Sequence, residues 1–285
     1  MADLNRQGFL PAQIANEIIA KTQTSSAIMR LAKSIDLPGT GVSIPVIVSD
    51  PEAGWVGETG KKPVSAGEVT PKLMQAYKLA VIVPFSKELT RDASGLYNAM
   101  VQRLPQALAK KFDQTVIGAV AAPGANFDTF ATATAQDITP NAYDAIIAGY
   151  SDIADHGNAN KMAIGAKGNA ALLTAKDSTG RPLFNAASES GVSSVAGFDT
   201  VVGDGIYKAA DATAGTPATL GVLGDFTQAV YGTVNGVEFS ISEEATLDLG
   251  NGQSINLWQQ NMVAVRAEIE VGFRANVSAF NLLTD

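Results

Sequence analysis

The first stretch whose residue types invite chemistry is GETGKK, from Gly57 to Lys62. A glycine-rich turn ahead of a lysine can cradle a phosphate. The phosphate-loop pattern, however, needs a glycine five positions before Gly60, where Trp55 stands, and a Ser or Thr where Lys62 stands. No helical pattern follows it, so no helix N-terminus would face an anion. His156 is the only histidine and there is no cysteine. Disulfides, thiolate nucleophiles and cysteine-ligated metals are thereby excluded, and one imidazole is too few for a histidine-rich metal site. A Ser–His–Asp arrangement would have to run through His156, yet no Gly-x-Ser-x-Gly elbow exists. His156 instead closes a helical pattern, where an imidazole suits the negative end of the helix dipole. Glu52, Glu58 and Glu68 could pair as glycosidase carboxylates do, but they lie on a long loop, not at rigid strand ends. Asp152 and Asp155, three apart on one helix face, are too sparse for a metal site. Asn276-Val-Ser278 matches a glycosylation sequon with nothing else suggesting secretion. The reading assigns no catalytic, cofactor-binding or metal residue.

What these residues can do is make contacts. Trp55 on a glycine-rich loop is costly to leave in water, and interfaces favour tryptophan as an anchor; packing within the loop is the alternative. Glu58, Lys61, Lys62 and Glu68 suit salt bridges to another subunit or simple solvation.

The elements that carry them come next. In Gly41–Phe85, Val42, Ile44, Val46 and Val48 alternate on one arm, and Leu73, Tyr77, Leu79, Val81 and Val83 recur on the other. That pattern predicts two antiparallel strands joined by the unusually long excursion Ser49–Lys72, which needs another surface to fold against. Before it, residues 1–40 read as an arm. Pro11, Ile14, Ile18 and Ile19 suggest a short amphipathic helix, and so few apolar residues imply docking onto another surface. After it, Ser86 can cap a short helix (KELTR). Leu96, Met100, Leu104, Leu108, Phe112 and Val116 then make one stripe along a helix spanning about Asp92–Ala121, in which Pro105 should introduce a kink and which Gly118 should stop.

From Asn126 to Glu244 helix and strand signals alternate. Thr139-Pro140 should cap a helix bearing Tyr143, Ile146, Ile147, Tyr150 and Ile153. Lys161–Ile164, Thr200–Val202 and Leu220–Leu223 read as strands, and Ala166–Ala175 as a helix. Asn235-Gly236 should turn a hairpin between Ala229–Thr233 and Val237–Ile241. Val263, Val265, Ala267, Ile269, Val271 and Phe273 alternate with polar residues in one long half-buried strand, whose Arg266 and Glu268 can pair weakly. Ala279–Leu283 should close its sheet.

The chain of 285 residues is 46% hydrophobic, ample for a core, and has a formal net charge of −8. Residues 1–112 hold 13 Lys/Arg against 9 Asp/Glu, and residues 113–285 hold 7 against 19. An acidic chain of this kind should not grip nucleic acid tightly. No apolar run spans a bilayer and no signal peptide opens the chain, which predicts a soluble, intracellularly made protein.

Four stretches, in order along the chain, carry a resemblance. They are PEAGWVGETGKKP (Pro51–Pro63), YKLAVIVPFSKEL (Tyr77–Leu89), GDFTQAVYG (Gly224–Gly232) and QNMVAVRAE (Gln260–Glu268). Together they resemble tailed-bacteriophage major capsid proteins of the Hong Kong 97-type fold. The resemblance implies an α+β subunit: an N-terminal arm (1–40), an extended E-loop hairpin (41–85), a P-domain with a long spine helix (86–138 and 245–285) and an A-domain (139–244). It implies self-assembly through hexamers and pentamers into an icosahedral head enclosing double-stranded DNA, without sequence-specific binding and without a membrane. A portal and a separate scaffolding protein would be partners, and no cofactor is implied. The product would be part of the virion, made in the host cytoplasm. Some members of the family cross-link a loop lysine to a neighbour's asparagine, which would nominate Lys61 or Lys62 and Asn276 or Asn281; solvated lysines are the competing reading. A bacterial nanocompartment shell of the same fold and a carboxylate-dependent hydrolase remain as alternatives.

Overall fold

A computed structural model describes residues 22–39, 41–49, 54–56, 61–62, 68–92, 103–176, 179–184, 194–195 and 197–285. In chain order its elements are α1 (Ala27–Leu31), β1 (Lys33–Asp36), β2 (Val42–Ser49), β3 (Glu68–Met74), β4 (Tyr77–Ser86), α2 (Lys87–Asp92) and α3 (Leu104–Val116). There follow β5 (Thr134–Asp137), α4 (Ala142–Ile153), β6 (Lys161–Ile164), α5 (Ala166–Thr174), β7 (Ser194–Val195), β8 (Phe198–Val202) and β9 (Thr219–Gly224). The last are β10 (Ala229–Ser242), β11 (Thr246–Gly250), β12 (Gln253–Asn256), β13 (Met262–Ala275) and β14 (Phe280–Thr284). The helix expected around Pro11–Ile19 lies outside the described residues, as do Leu96 and Met100.

The long alternating strand is β13, and it organises a four-stranded sheet in the order β1-β10-β13-β4. Val263, Val265, Ala267, Ile269 and Phe273 turn one face inward, and Leu104, Leu108 and Phe112 of α3 are buried among these clusters. The stripe on α3 is therefore real, and the part of the expected helix between Asp92 and Arg103 lies outside the described residues. Arg103 is a turn residue and Pro105 sits in the first turn of α3, where its missing N–H has no partner to lose. Gly118, at φ +79°, ends α3 as expected, and a Cβ there would lie 2.5 Å from the Cβ of Ala131.

Asn235-Gly236 does not turn a hairpin. β10 runs straight through it, and both halves pair antiparallel with β13, from Ala229↔Ala275 to Ser242↔Ala264. The register shifts between Val234 and Val237, leaving two residues bulged. An insertion of two preserves side-chain parity, so Tyr231 before it and Val237 and Phe239 after it are all buried. A strand as long as β13 offers both halves a ladder, which outcompetes the local turn. The residues that do form a two-residue hairpin loop are Asn251 and Gly252, between β11 and β12, at φ 53° and 75°. Positive φ at both centres is the type I′ geometry that suits strand twist.

A six-stranded sheet follows the order β5-β14-β9-β6-β8-β7. Its faces alternate: Met162, Ile164, Leu223 and Leu283 pack under α4 and α5, while Ala163, Val222 and Leu282 face the other cluster with α1 and the end of α3. The strands expected at 161–164, 200–202 and 220–223 are present, the last two somewhat longer as β8 and β9. One strand pairs elsewhere than expected, however. Ala279–Leu283 does not close the sheet of β13. A turn at Val277–Ala279 carries β14 between β5 and β9, where Phe280 stacks on Phe130 at 4.4 Å. Residues 229–242 in turn belong with β13, not with the six-stranded sheet. The cap of α4 is Asn141, whose Oδ1 accepts from Asp144 N, and not Thr139-Pro140; Thr139 is held by Asp137.

Candidate subunit interface

The hairpin predicted over Gly41–Phe85 is a shorter object than its sequence suggests. β2 pairs with β3, from Val42↔Met74 to Ser49↔Glu68, whereas β4 leaves the hairpin to pair with β13 over its whole length. The chain changes sheets at Gln75-Ala76. Two glycines permit this crowding. Gly41, at φ +86°, brings its Cα so near that a Cβ would meet Met74 O at 2.6 Å, and a Cβ on Gly272 would meet Gln75 O at 2.7 Å. Met74 itself is fully buried.

A guanidinium fixes the root. Arg274, 7% exposed, donates through Nε and Nη2 to Leu73 O at 2.8 and 2.6 Å. Its Nη2 also reaches Asn126 Oδ1 at 2.8 Å, and Nη1 reaches Asp128 Oδ1 at 2.8 Å. The second carboxylate oxygen of Asp128 accepts from Ala275 N at 3.1 Å and faces Lys72 Nζ at 3.5 Å. Only a planar fork with five donors can serve a backbone carbonyl, an amide and a carboxylate at once. Tyr77 OH accepts from Asn126 N at 3.2 Å, closing the same corner. Three elements, the end of β3, the 126–128 turn and β13, are thus locked together where the hairpin leaves the body. Nothing in the sequence marked Arg274 as buried; it reads as one more outward charge on the strand.

At the other end the described tip residues are bare. Trp55 is 106% exposed, and Val56, Lys61 and Lys62 are also exposed. Packing of Trp55 within its own loop is therefore not what the structure shows. Glu68 opens β3 opposite Ser49, and Glu52 and Glu58 lie outside the described residues. The asparagines named for a cross-link are engaged: Asn276 Nδ2 donates to Gln228 Oε1 at 2.8 Å, and Asn281, fully buried, donates to Asp152 Oδ2 at 3.1 Å.

The described part of the arm docks on its own subunit. Ser26 caps α1 by accepting from Met29 N at 3.0 Å while donating to Asp113 Oδ1 at 2.5 Å. Ala27 N and Ile28 N donate to the same carboxylate at 2.9 and 3.3 Å. Asp113 has no solvent exposure, and burial pushes its carboxyl up to about 7 against the pull of those three donors. Downstream, β1 pairs parallel with β10. Residues 26–36 of the arm thus pack on their own α3 and β10.

The outer face of the four-stranded sheet is charged. Glu238 lies directly opposite Glu268, an unfavourable cross-strand pair, and Lys78 Nζ bridges Glu268 and Glu270 at 2.9 and 3.0 Å. The two glutamates raise the Lys78 pKa by hydrogen bonding. Arg266 approaches Glu268 at 3.8 Å, the weak pairing expected of them.

His156 lies in a turn after α4, and it is its backbone N–H, not its ring, that meets Ile153 O at 2.8 Å. It lines a polar pocket of about 260 Å³ with Asp152, Ser278, Thr132 and Thr134. Serine, histidine and aspartate do meet in one place here. Asp152 Oδ2 is nevertheless taken by Gln136 Nε2 and Asn281 Nδ2, at 2.8 and 3.1 Å, so the carboxylate ties β5 and β14 to α4. Among the described residues no group of three His, Asp or Glu is placed to hold a metal ion, and no helix is long and apolar enough to cross a membrane.

Comparison with known proteins places this geometry. A family model for the phage capsid family matches residues 7–285. The probable major capsid protein gp17 of Mycobacterium phage D29 is 30% identical, over 98% of this chain and 91% of its own length. The major capsid protein of Staphylococcus phage 80alpha is 28% identical, over 93% of this chain and 81% of its own. Among solved structures, a chain of Gordonia phage Cozz superposes with a TM-score of 0.70 at 24% identity, covering 91% of this chain and 86% of that one. The capsid of an empty GTA particle computed with C5 symmetry gives 0.61 at 17% identity, covering 91% and 89%.

Proposed function

The chain belongs to the phage capsid family and acts as a major capsid protein of tailed phages, and we propose that each copy straps the next with the hairpin of β2 and β3. A nanocompartment shell and a hydrolase are not what its relatives support. The observation that carries the strap is the contrast between the hairpin's two ends. The root is fixed by four hydrogen bonds from Arg274, while Trp55 at the tip stands wholly in water. A hairpin fixed at its root and presenting a bare tryptophan is organised for a surface it does not itself supply.

In this reading Trp55 seats against a neighbouring copy, and Glu58, Lys61, Lys62 and Glu68 set its register by charge. Exposed Glu238 on the sheet of the next copy is a fitting counterpart for Lys61 or Lys62. Residues 1–40 act as the arm, 41–85 as the extended hairpin with its flanking strand, 86–138 and 245–285 as the peripheral domain and 139–244 as the axial domain. β10 and β14 are exchanged between the last two. The copies assemble through hexamers and pentamers into an icosahedral head that holds double-stranded DNA, with a portal and a separate scaffolding protein as partners, all within the host cytoplasm. A net charge of −8 keeps the shell from adhering to the packaged phosphates.

The test is electron microscopy and size-exclusion chromatography of the purified full chain and of a chain lacking residues 52–66. Megadalton shells are expected from the first, and a folded, poorly assembling subunit from the second. A persistent monomer from the intact chain overturns the shell reading, and normal shells from the shortened one overturn the strap.

A further inference from the structure

Helix α4 carries two apolar stripes, and the subunit buries only one. Ala142, Ala145, Ile146, Gly149 and Ile153 are buried toward the six-stranded sheet. Tyr143, Ile147 and Tyr150 are spaced by four and three residues, so they share another side of the helix, and they are 46%, 40% and 38% exposed. Exposed Ala154 extends this ridge by one more turn, and exposed Asp144 and Asp155 run beside it at the same spacing. A single core-facing stripe suffices to dock a helix. The second is only partly used within one copy: the Tyr150 ring packs on Phe198 at 5.6 Å and its hydroxyl donates to Asn158 Oδ1 at 3.4 Å, while Tyr143 and Ile147 stay exposed.

A second surface has the opposite relief and the opposite charge. α5 buries only Gly168 and Leu172. Its exposed Ala166, Ala170 and Leu173 repeat the spacing of four and three, but with two alanines where α4 has Tyr and Ile. Exposed Lys167 flanks the row, and exposed Lys176, Arg181 and Leu183 follow the helix. Small side chains let a second helix approach closely, and bulky ones supply the ridge that fills the resulting groove. The carboxylates beside α4 match the cations beside α5.

Both helices lie on one face of the same sheet, since their buried residues share a cluster, with α4 over β5, β14 and β9 and α5 against β9. A copy moved sideways in the plane of that sheet can set its α4 against the α5 of its neighbour. Two different patches that fit each other make a heterologous contact, and such contacts close into rings when the rotation permits.

We infer that the Tyr143–Ile147–Tyr150 ridge of one copy docks on the Ala166–Ala170–Leu173 face of the next, with Asp144 and Asp155 of the first meeting Lys167 and Lys176 of the second. The inference rests on the shell reading above, but it names a surface on a different sheet from the hairpin.

Charge reversal tests it in the full chain, read by shell yield in electron microscopy and by thermal melting. D144K/D155K and K167E/K176E should each lower the shell yield about tenfold or more, and the combination of all four should restore most of it. Because Asp144 also bonds Asn141 and Lys167 bonds Tyr207, Ile147→Glu is the independent variant: it should melt like the parent and fail to assemble. Parental yields from both reversals or from Ile147→Glu overturn the docking while leaving the shell reading intact. A quadruple variant that folds but stays as poor as either reversal overturns it too. A parent chain that forms no shells defeats the shell reading first.

Discussion

Replacing Arg274 by methionine should unfasten the hairpin from the body of the subunit. Methionine keeps the length and the apolar stem but removes two bonds to Leu73 O, one to Asn126 Oδ1 and the ion pair with Asp128 Oδ1. Breaking one partner of a buried pair costs about 3–5 kcal/mol, chiefly because the other charge is left behind. Here Asp128 is 17% exposed and keeps Lys72 at 3.5 Å and Ala275 N at 3.1 Å, so the lower end, about 3 kcal/mol, applies. For a domain of this size that lowers the melting temperature by roughly 6–10 °C. Hydrogen exchange localises the effect: protection should fall at residues 72–77 and 126–128 and stay unchanged in β6 and β9. Arg274→Lys should behave almost as badly, since an ammonium can hold Asp128 but cannot span to Leu73 O as well. A double-mutant cycle with Asp128→Asn should return a coupling of about 1.5–3 kcal/mol. If Arg274→Met melts within a degree of the parent and exchanges identically at Leu73, the guanidinium is not what roots the hairpin.

Three further outcomes follow from the same geometry. Because burial raises the Asp113 carboxyl from 3.8 to about 7, the folded state holds its proton more tightly than the unfolded state, so this group's stabilisation is complete below pH 4 and is lost as pH rises through 7. Parent stability should fall by up to about 4 kcal/mol across that window relative to Asp113→Asn, measured by chemical unfolding at a series of pH values. Trp55→Ser should leave the melting temperature of the isolated subunit unchanged, within about 0.5 kcal/mol, while cutting shell yield in electron microscopy. Gly118→Ala should cost about 2 kcal/mol in chemical unfolding, because φ +79° and a contact of 2.5 Å to Ala131 penalise the same methyl group.

The sequence spoke clearly where a pattern was local and long. Six alternating apolar residues located β13, and Leu104, Leu108, Phe112 and Val116 located the buried side of α3. It spoke ambiguously where two local rules competed with a distant partner. Asn235-Gly236 and Asn251-Gly252 are the same dipeptide, and only the presence of β13 beside the first decides that it is a bulge while the second turns. The arm from Leu73 to Phe85 shows one alternation although it serves two sheets, because the break at Gln75-Ala76 is made by packing against Gly272. Buried charge was the least legible of all. Arg274 and Asp113 sit among polar or amphipathic neighbours in sequence, and their partners lie at separations of 201 and 87 residues. Trp55 stands out already in the sequence as a large aromatic on a glycine-rich loop, whereas the second stripe on α4 is hidden inside what reads as one apolar helix face.

The placement of β14 bears on how a cell makes this protein in quantity. β14 is an interior strand, hydrogen-bonded to β5 on one side and β9 on the other, yet it is translated after both. Until residues 280–284 leave the ribosome, β5 and β9 present two open edges across a gap one strand wide. Open edges recruit strands from other chains, and nascent copies of an abundant protein are the nearest source. Synthesis order therefore imposes a checkpoint: the six-stranded sheet, and with it the faces of α4 and α5, is completed only when β14 has been delivered.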